Sequence, residues 1–88
     1  MRYIDKQIIS LSDINNDMTV FNSEVGKNLA RCRKAAGYTQ KQASAALNMS
    51  QPNYSRFERG LYELSYIQLA TLCKLFECSA DEILGIKN

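Results

Sequence analysis

Residues 38–60, YTQKQASAALNMSQPNYSRFERG, decide how this chain folds. Thr39 and Gln42 stand at the spacing of a capping box, Ser/Thr-x-x-Glu/Gln, so a helix starts at Gln40. It runs to Leu47 and is rich in small side chains: Ala43, Ser44 and Ala46 let another helix approach closely. Asn48 then falls where the chain must turn, and asparagine tolerates a left-handed backbone better than most residues. Ser50 caps a second short helix, Gln51 to Arg59, which stops at Gly60. Pro52 fits there because it lies in the first turn, where no intrahelical N–H bond is lost. Tyr54 and Phe57, three apart, share one face of that helix, while Gln51, Asn53, Arg56 and Arg59 largely face elsewhere. One face is aromatic and meant for burial; the other is a polar, positively charged display.

The flanks extend the same pattern. Upstream, Ser23 reads as a cap for a helix over about 24–36, with Glu24 in its first turn, and Gly37 closes it. Val25, Leu29, Cys32 and Ala36 recur on its apolar face. Downstream, Ser65 and Gln68 form a second capping box before an amphipathic helix whose core set is Leu69, Leu72, Cys73 and Phe76, with Ile67 nearby. Ser79 and Glu82 form a third box and open a last short helix with Ile83 and Leu84, closed by Gly85. Five helices with short connections make residues 23–88 a compact all-α domain. Residues 1–22 form an N-terminal arm that is harder to read. Asn15-Asn16-Asp17 resembles a turn. Ile4, Ile8, Ile9 and Leu11 are too apolar for a purely solvated tail, so the arm is expected to pack on the domain or on a second subunit.

At 88 residues the chain has room for one modest core. No apolar run approaches the roughly 20 residues that span a bilayer, and the N-terminus lacks the apolar centre of a signal peptide. The expected location is the cytoplasm, with no membrane partner. The three cysteines, Cys32, Cys73 and Cys78, form no Cys-x-x-Cys, and there is no histidine. Buried small side chains are the favoured reading of Cys32 and Cys73; a zinc site and histidine-based acid–base catalysis are not expected. The net charge of +2 hides a division. Residues 24–60 carry seven positive and two negative side chains, net +5, and the remainder carries four and seven, net −3. A basic block of this kind suits a polyanion, and equally a solvated face.

The two short helices around Asn48-Met49-Ser50 sharpen that choice. Such a pair can lay its second helix in the major groove of DNA. Gln and Asn can read adenine through two hydrogen bonds, and Arg can read guanine in the same way. The free N–H groups at the helix starts suit phosphate oxygens. By residue type alone, an exposed polar face on an ordinary helical bundle fits equally well.

The stretch 38–60, together with SYIQLATLCKLFECSADEILG at 65–85, resembles the Cro/C1-type helix-turn-helix family of phage repressors and bacterial regulators. The resemblance runs from Val25 to Leu84, about two thirds of the chain. It implies a lambda-repressor-like five-helix fold and sequence-specific binding of double-stranded DNA, most simply as a homodimer that represses from a palindromic operator. It implies base reading by Gln51, with Pro52, Asn53, Ser55 and Arg56 at the other operator-dependent positions. Gln40 is implied at phosphate, and Lys41, Thr39 and Tyr62 complete that expected set. Ser44 stands at the small-residue crossing, and Arg33 and Glu58 match an arginine and a glutamate that pair inside the fold.

The sequence departs from the family pattern at Pro52, which replaces a polar side chain, at Tyr54, whose hydroxyl needs a partner, and at Glu77, which stands at a common glycine position. Neither enzymatic activity, nor a cofactor, nor a small-molecule effector is expected. The dimer face is expected at the last helix, near Ile83, Leu84 and Ile86, or at the arm. The rival reading is a protein-interaction module, antitoxin-like or a mobile-element regulatory partner, built on the same fold.

Overall fold

A computed structural model describes residues 11–86. These form an all-α, lambda-repressor-like arrangement of five helices: α1 Leu11–Ala35, α2 Gln40–Ala46, α3 Gln51–Glu58, α4 Tyr66–Phe76 and α5 Ala80–Leu84. The short helices are set by their caps. Thr39, Ser65 and Ser79 each accept a bond from the backbone N–H three residues on, and Gln42, Gln68 and Glu82 return it to the cap's own N–H. Ser50 accepts from the Asn53 N–H at 3.3 Å. Gly37, at φ +85°, ends α1, and its N–H reaches the Lys34 carbonyl at 3.0 Å.

The core gathers one or two residues from every helix. Leu29, Tyr54, Leu72 and Ile83 are fully buried, and Cys32, Ala43, Phe57 and Phe76 complete the cluster. Edge contacts order its rings: Tyr54 meets Phe57 at 6.1 Å between centroids, and Tyr38 meets Phe76 at 5.9 Å. α1 passes α3 at backbone distance because position 26 is glycine. A Cβ there would collide with the Glu58 carbonyl oxygen and stand 2.8 Å from that of Phe57. Burial pushes the Cys78 thiol up to about 12, with the neighbouring Cys32 thiol adding to the shift, so the sulfur near the core stays protonated and inert.

Several boundaries differ from the sequence expectation. α1 begins at Leu11, not near Glu24, and both Ser23 and the Asn15-Asn16-Asp17 stretch lie inside it. Asparagine and aspartate are only mildly poor helix formers, and a run of helically spaced apolar residues around them outweighs that preference. Ser23 is not a cap; its Cα faces Gly60, where a Cβ would come within 2.8 Å. Ala36 lies past the end of α1 and is exposed, and Ile67 is 78% exposed. α2 and α3 each stop one residue short of expectation, with Leu47 and Arg59 as C-caps. Ile83 is fully buried in its own core and cannot serve a dimer face. Ile4, Ile8 and Ile9 lie outside the described residues.

Candidate nucleic-acid interface

α2 and α3 pack against each other across a turn whose backbone is fixed by Asn48, left-handed at φ +59°. The Asn48 N–H bonds the Ala45 carbonyl at 3.0 Å and the Met49 N–H bonds that of Ser44 at 3.0 Å. Ala43 and Ser44 are buried where the helices cross. The Ser44 hydroxyl is satisfied by donating to the Lys41 carbonyl at 2.8 Å.

Beneath the pair lies a buried carboxylate. Arg33 of α1 binds Glu58 of α3 through two bonds, Nε to Oε2 at 2.7 Å and Nη2 to Oε1 at 3.1 Å. The two side chains are only 10% and 6% exposed. The third arm of Arg33 donates to the Tyr38 carbonyl at 2.9 Å. Tyr54 spends its hydroxyl on Glu58 Oε2 at 2.7 Å, and Gln40 donates to Oε1 at 2.9 Å. Burial by itself would raise the Glu58 pKa. The bonds from Arg33, Tyr54 and Gln40 together outweigh it and hold the carboxyl below its usual range. The hydrogen bond to Glu58 pushes the Arg33 guanidinium up. Burial, then the bond to Glu58, pushes the Tyr54 phenol well up, so it remains a donor.

From this anchor the network climbs to the surface. Gln40, half-buried at the start of α2, uses its amide nitrogen on Glu58 and its oxygen to accept from Gln51 Nε2 at 2.6 Å. The first residue of α3 is thereby tied to the first residue of α2. Gln40, Lys41 and Gln51 line one shallow concavity with Ser44, Ala45 and Met49. Lys41, Gln51, Pro52 and Asn53 are exposed, and Ser55 is half-buried.

A second cluster lies toward the end of α3. Arg56 Nη1 donates to Asn53 Oδ1 and to the Tyr62 hydroxyl, both at 2.9 Å. Its guanidinium lies 5.3 Å from the centroid of the Tyr62 ring, which rests edge-on against Phe57 at 6.2 Å. Tyr62 is thus joined to Arg56 as a support. Thr39 spends its hydroxyl capping α2. Neither α2 nor α3 has an acid in its first turn, so the positive end of each dipole is uncompensated.

The roles of Gly26 and of Tyr54 and Gln40 as partners of Glu58 are not in the sequence reading. The glycine inside a helical period was a usable signal; the Gln40 bond depends on how the helices cross.

A helix-turn-helix whose second helix is exposed, polar and supported from below defines a class of protein, that of DNA-binding regulators and not of enzymes. The helix-turn-helix family profile matches residues 29–83, and the chain belongs to that family, in its Cro/C1-type form. It is also 39% identical over 61 residues to the HTH-type transcriptional regulator ImmR of Bacillus subtilis (strain 168). That match covers 69% of this chain and 48% of ImmR, so the chain spans about half the length of this relative.

Proposed function

We propose that this domain binds double-stranded DNA by sequence, with α3 in the major groove, and represses transcription as a homodimer on a palindromic operator. The supporting observation is the Gln51–Gln40 bond at 2.6 Å, continued from Gln40 to the buried Glu58–Arg33 pair. A base-reading side chain discriminates only if it is held in place before the base arrives. Gln51 is so held, at the exposed start of a helix with a free dipole end. Gln51 reads adenine through its amide, and Asn53 and Arg56 read the following bases. Pro52 offers an apolar surface to a thymine methyl. Lys41, the Gln40 backbone and the N–H groups opening α2 hold phosphate.

Two such domains on a two-fold axis place their α3 helices in successive major grooves, about one helical turn apart. Occupancy near a promoter suffices to block polymerase, with no ligand or cofactor. The name of the ImmR relative, a transcriptional regulator, agrees with this reading. Selection of bound sites from a random duplex library tests it. An inverted repeat of short half-sites is expected; a pool that never enriches overturns the proposal.

A further inference from the structure

Two large apolar side chains stand in solvent on α1: Met18 is 50% exposed and Phe21 is 49% exposed. Their positions are not arbitrary. Met18 precedes Val25 by seven residues and Leu29 by eleven; Phe21 precedes Val25 by four and Cys32 by eleven. Those spacings put both on the face that Val25, Leu29 and Cys32 turn toward the core. α1 therefore carries its core-facing stripe beyond the body it packs on. The sequence continues the spacing within the same helix: Leu11, Ile14, Met18, Phe21 and Val25 recur at three and four residues, the repeat of a coiled-coil seam. At the root of this overhang Phe21 joins Tyr62, Tyr66, Leu69 and Leu84 around an apolar groove, and Tyr66 is 93% exposed.

We infer that the α1 stripe and this groove are the face on which a second copy of this chain docks, α1 against α1. A heptad stripe is filled by the knobs of another helix with the same repeat. α1 is itself such a helix, so the face is self-complementary, as a two-fold interface must be. Charge excludes DNA as the occupant. Residues 11–24 hold Asp13, Asp17 and Glu24 with no lysine or arginine, and Glu63 stands at the groove. The overhang is too short to hold two chains by itself, because stable interfaces bury on the order of 800 Å² per partner. Tyr66 and Leu84 supply the continuation of the seam into the body. The inference rests on the DNA reading only for the purpose of the dimer, not for its geometry.

Sedimentation equilibrium of the full chain without DNA tests it. The protein is expected to be a dimer in the micromolar range. Met18→Glu should raise the dimer Kd at least about tenfold, the size of a central interface contact, with the thermal melt of the monomer unchanged. Tyr66→Glu should act in the same direction, and at 93% exposure its folding is not at stake. Ile67→Glu, on an exposed side chain outside the groove, should leave the Kd alone. A wild-type chain that stays monomeric throughout overturns the inference. So do Met18→Glu and Tyr66→Glu proteins that dimerise as well as Ile67→Glu. Library selection with Met18→Glu separates this from the DNA reading. Retention of half-site sequences with loss of the palindrome supports both. A pool with no enriched sequence sinks the DNA reading and leaves the sedimentation result to decide the face.

Discussion

The chain makes the same corner twice and puts only one to use on a polyanion. α2 leads into α3 through Asn48-Met49-Ser50, and α4 leads into α5 through Glu77-Cys78-Ser79. In both, the first residue is left-handed, at φ +59° and +52°. The second is half-buried and sends its N–H to the carbonyl five residues back, Met49 to Ser44 at 3.0 Å and Cys78 to Cys73 at 3.1 Å. The third, a serine, caps the next helix. What surrounds the corners differs. α5 opens with Asp81 and Glu82, which neutralise its dipole and repel phosphate. α3 opens without an acid, displays Gln51, Asn53 and Arg56, and turns Glu58 inward onto Arg33. The corner's chemistry makes the fold; the charges placed around it make one corner an interface and the other a brace.

The largest expected effect comes from breaking the buried tie that distinguishes the first corner. Glu58→Ala leaves Arg33 buried without its partner and should cost about 3–5 kcal/mol in a urea unfolding series. Glu63→Ala, at an exposed loop carboxylate, should stay within about 0.5 kcal/mol. Replacing Arg33 and Glu58 together by apolar residues should recover much of the loss. The same tie predicts a pH dependence. The Glu58 carboxyl titrates lower in the folded chain than in the unfolded one. Its contribution is therefore present above the ordinary glutamate pKa of about 4.3 and is lost as pH falls through the lower folded value. Glu58→Gln should flatten that acid limb of the stability curve. If Glu58→Ala costs no more than Glu63→Ala, the two corners are held alike and the comparison fails.

Next in size is the effect on recognition. Gln51→Ala should erode the preference for a cognate duplex over a scrambled one by about 1–3 kcal/mol. Lys41→Ala should weaken both duplexes alike and lower the salt slope by about one. Asp81→Ala, at the matching start of α5, should change neither quantity. Titrations on the two duplexes at several salt concentrations separate the three. Equal losses from Gln51→Ala and Lys41→Ala on both duplexes would remove the distinction between base and phosphate contacts.

Most of the architecture was readable because it is written in short-range chemistry. The three capping boxes, the serine at 50 and the glycines at 37 and 85 act within four residues, and each marks a helix end. The pairing of Arg33 with Glu58 was implied only by family resemblance, since no local rule joins residues 25 apart. The start of α1 was missed because asparagine and aspartate at 15–17 advertise a turn. The heptad spacing from Leu11 to Val25 was the competing signal, and a tertiary role for that stripe is not encoded in any single turn of helix. The candidate site was legible as residue types. The bonds that orient it, Gln51 to Gln40 and Arg56 to Tyr62, depend on how α2, α3 and the following loop cross.

The smallest expected effect tests whether the two corners share a backbone rule. A left-handed conformation costs an ordinary L-residue about 1–2 kcal/mol, and asparagine less because its side chain tolerates the region. Glycine removes that cost but adds about 0.4–1 kcal/mol of unfolded-state entropy. At Glu77 the balance favours glycine. Its side chain is exposed and makes no hydrogen bond or ion pair in the structure, so Glu77→Gly should stabilise the domain by about 0.5–1 kcal/mol. At Asn48 the two terms nearly cancel, and Asn48→Gly should move stability by less than about 0.5 kcal/mol in either direction. The difference is measurable as a shift of a few degrees in Tm for a domain of this size, confirmed by urea titration at neutral pH. DNA affinity should not respond to Glu77→Gly, because that corner lies on the bracing side. A gain at Asn48 larger than at Glu77, or a loss at Glu77, would show that something other than the left-handed residue sets the second corner.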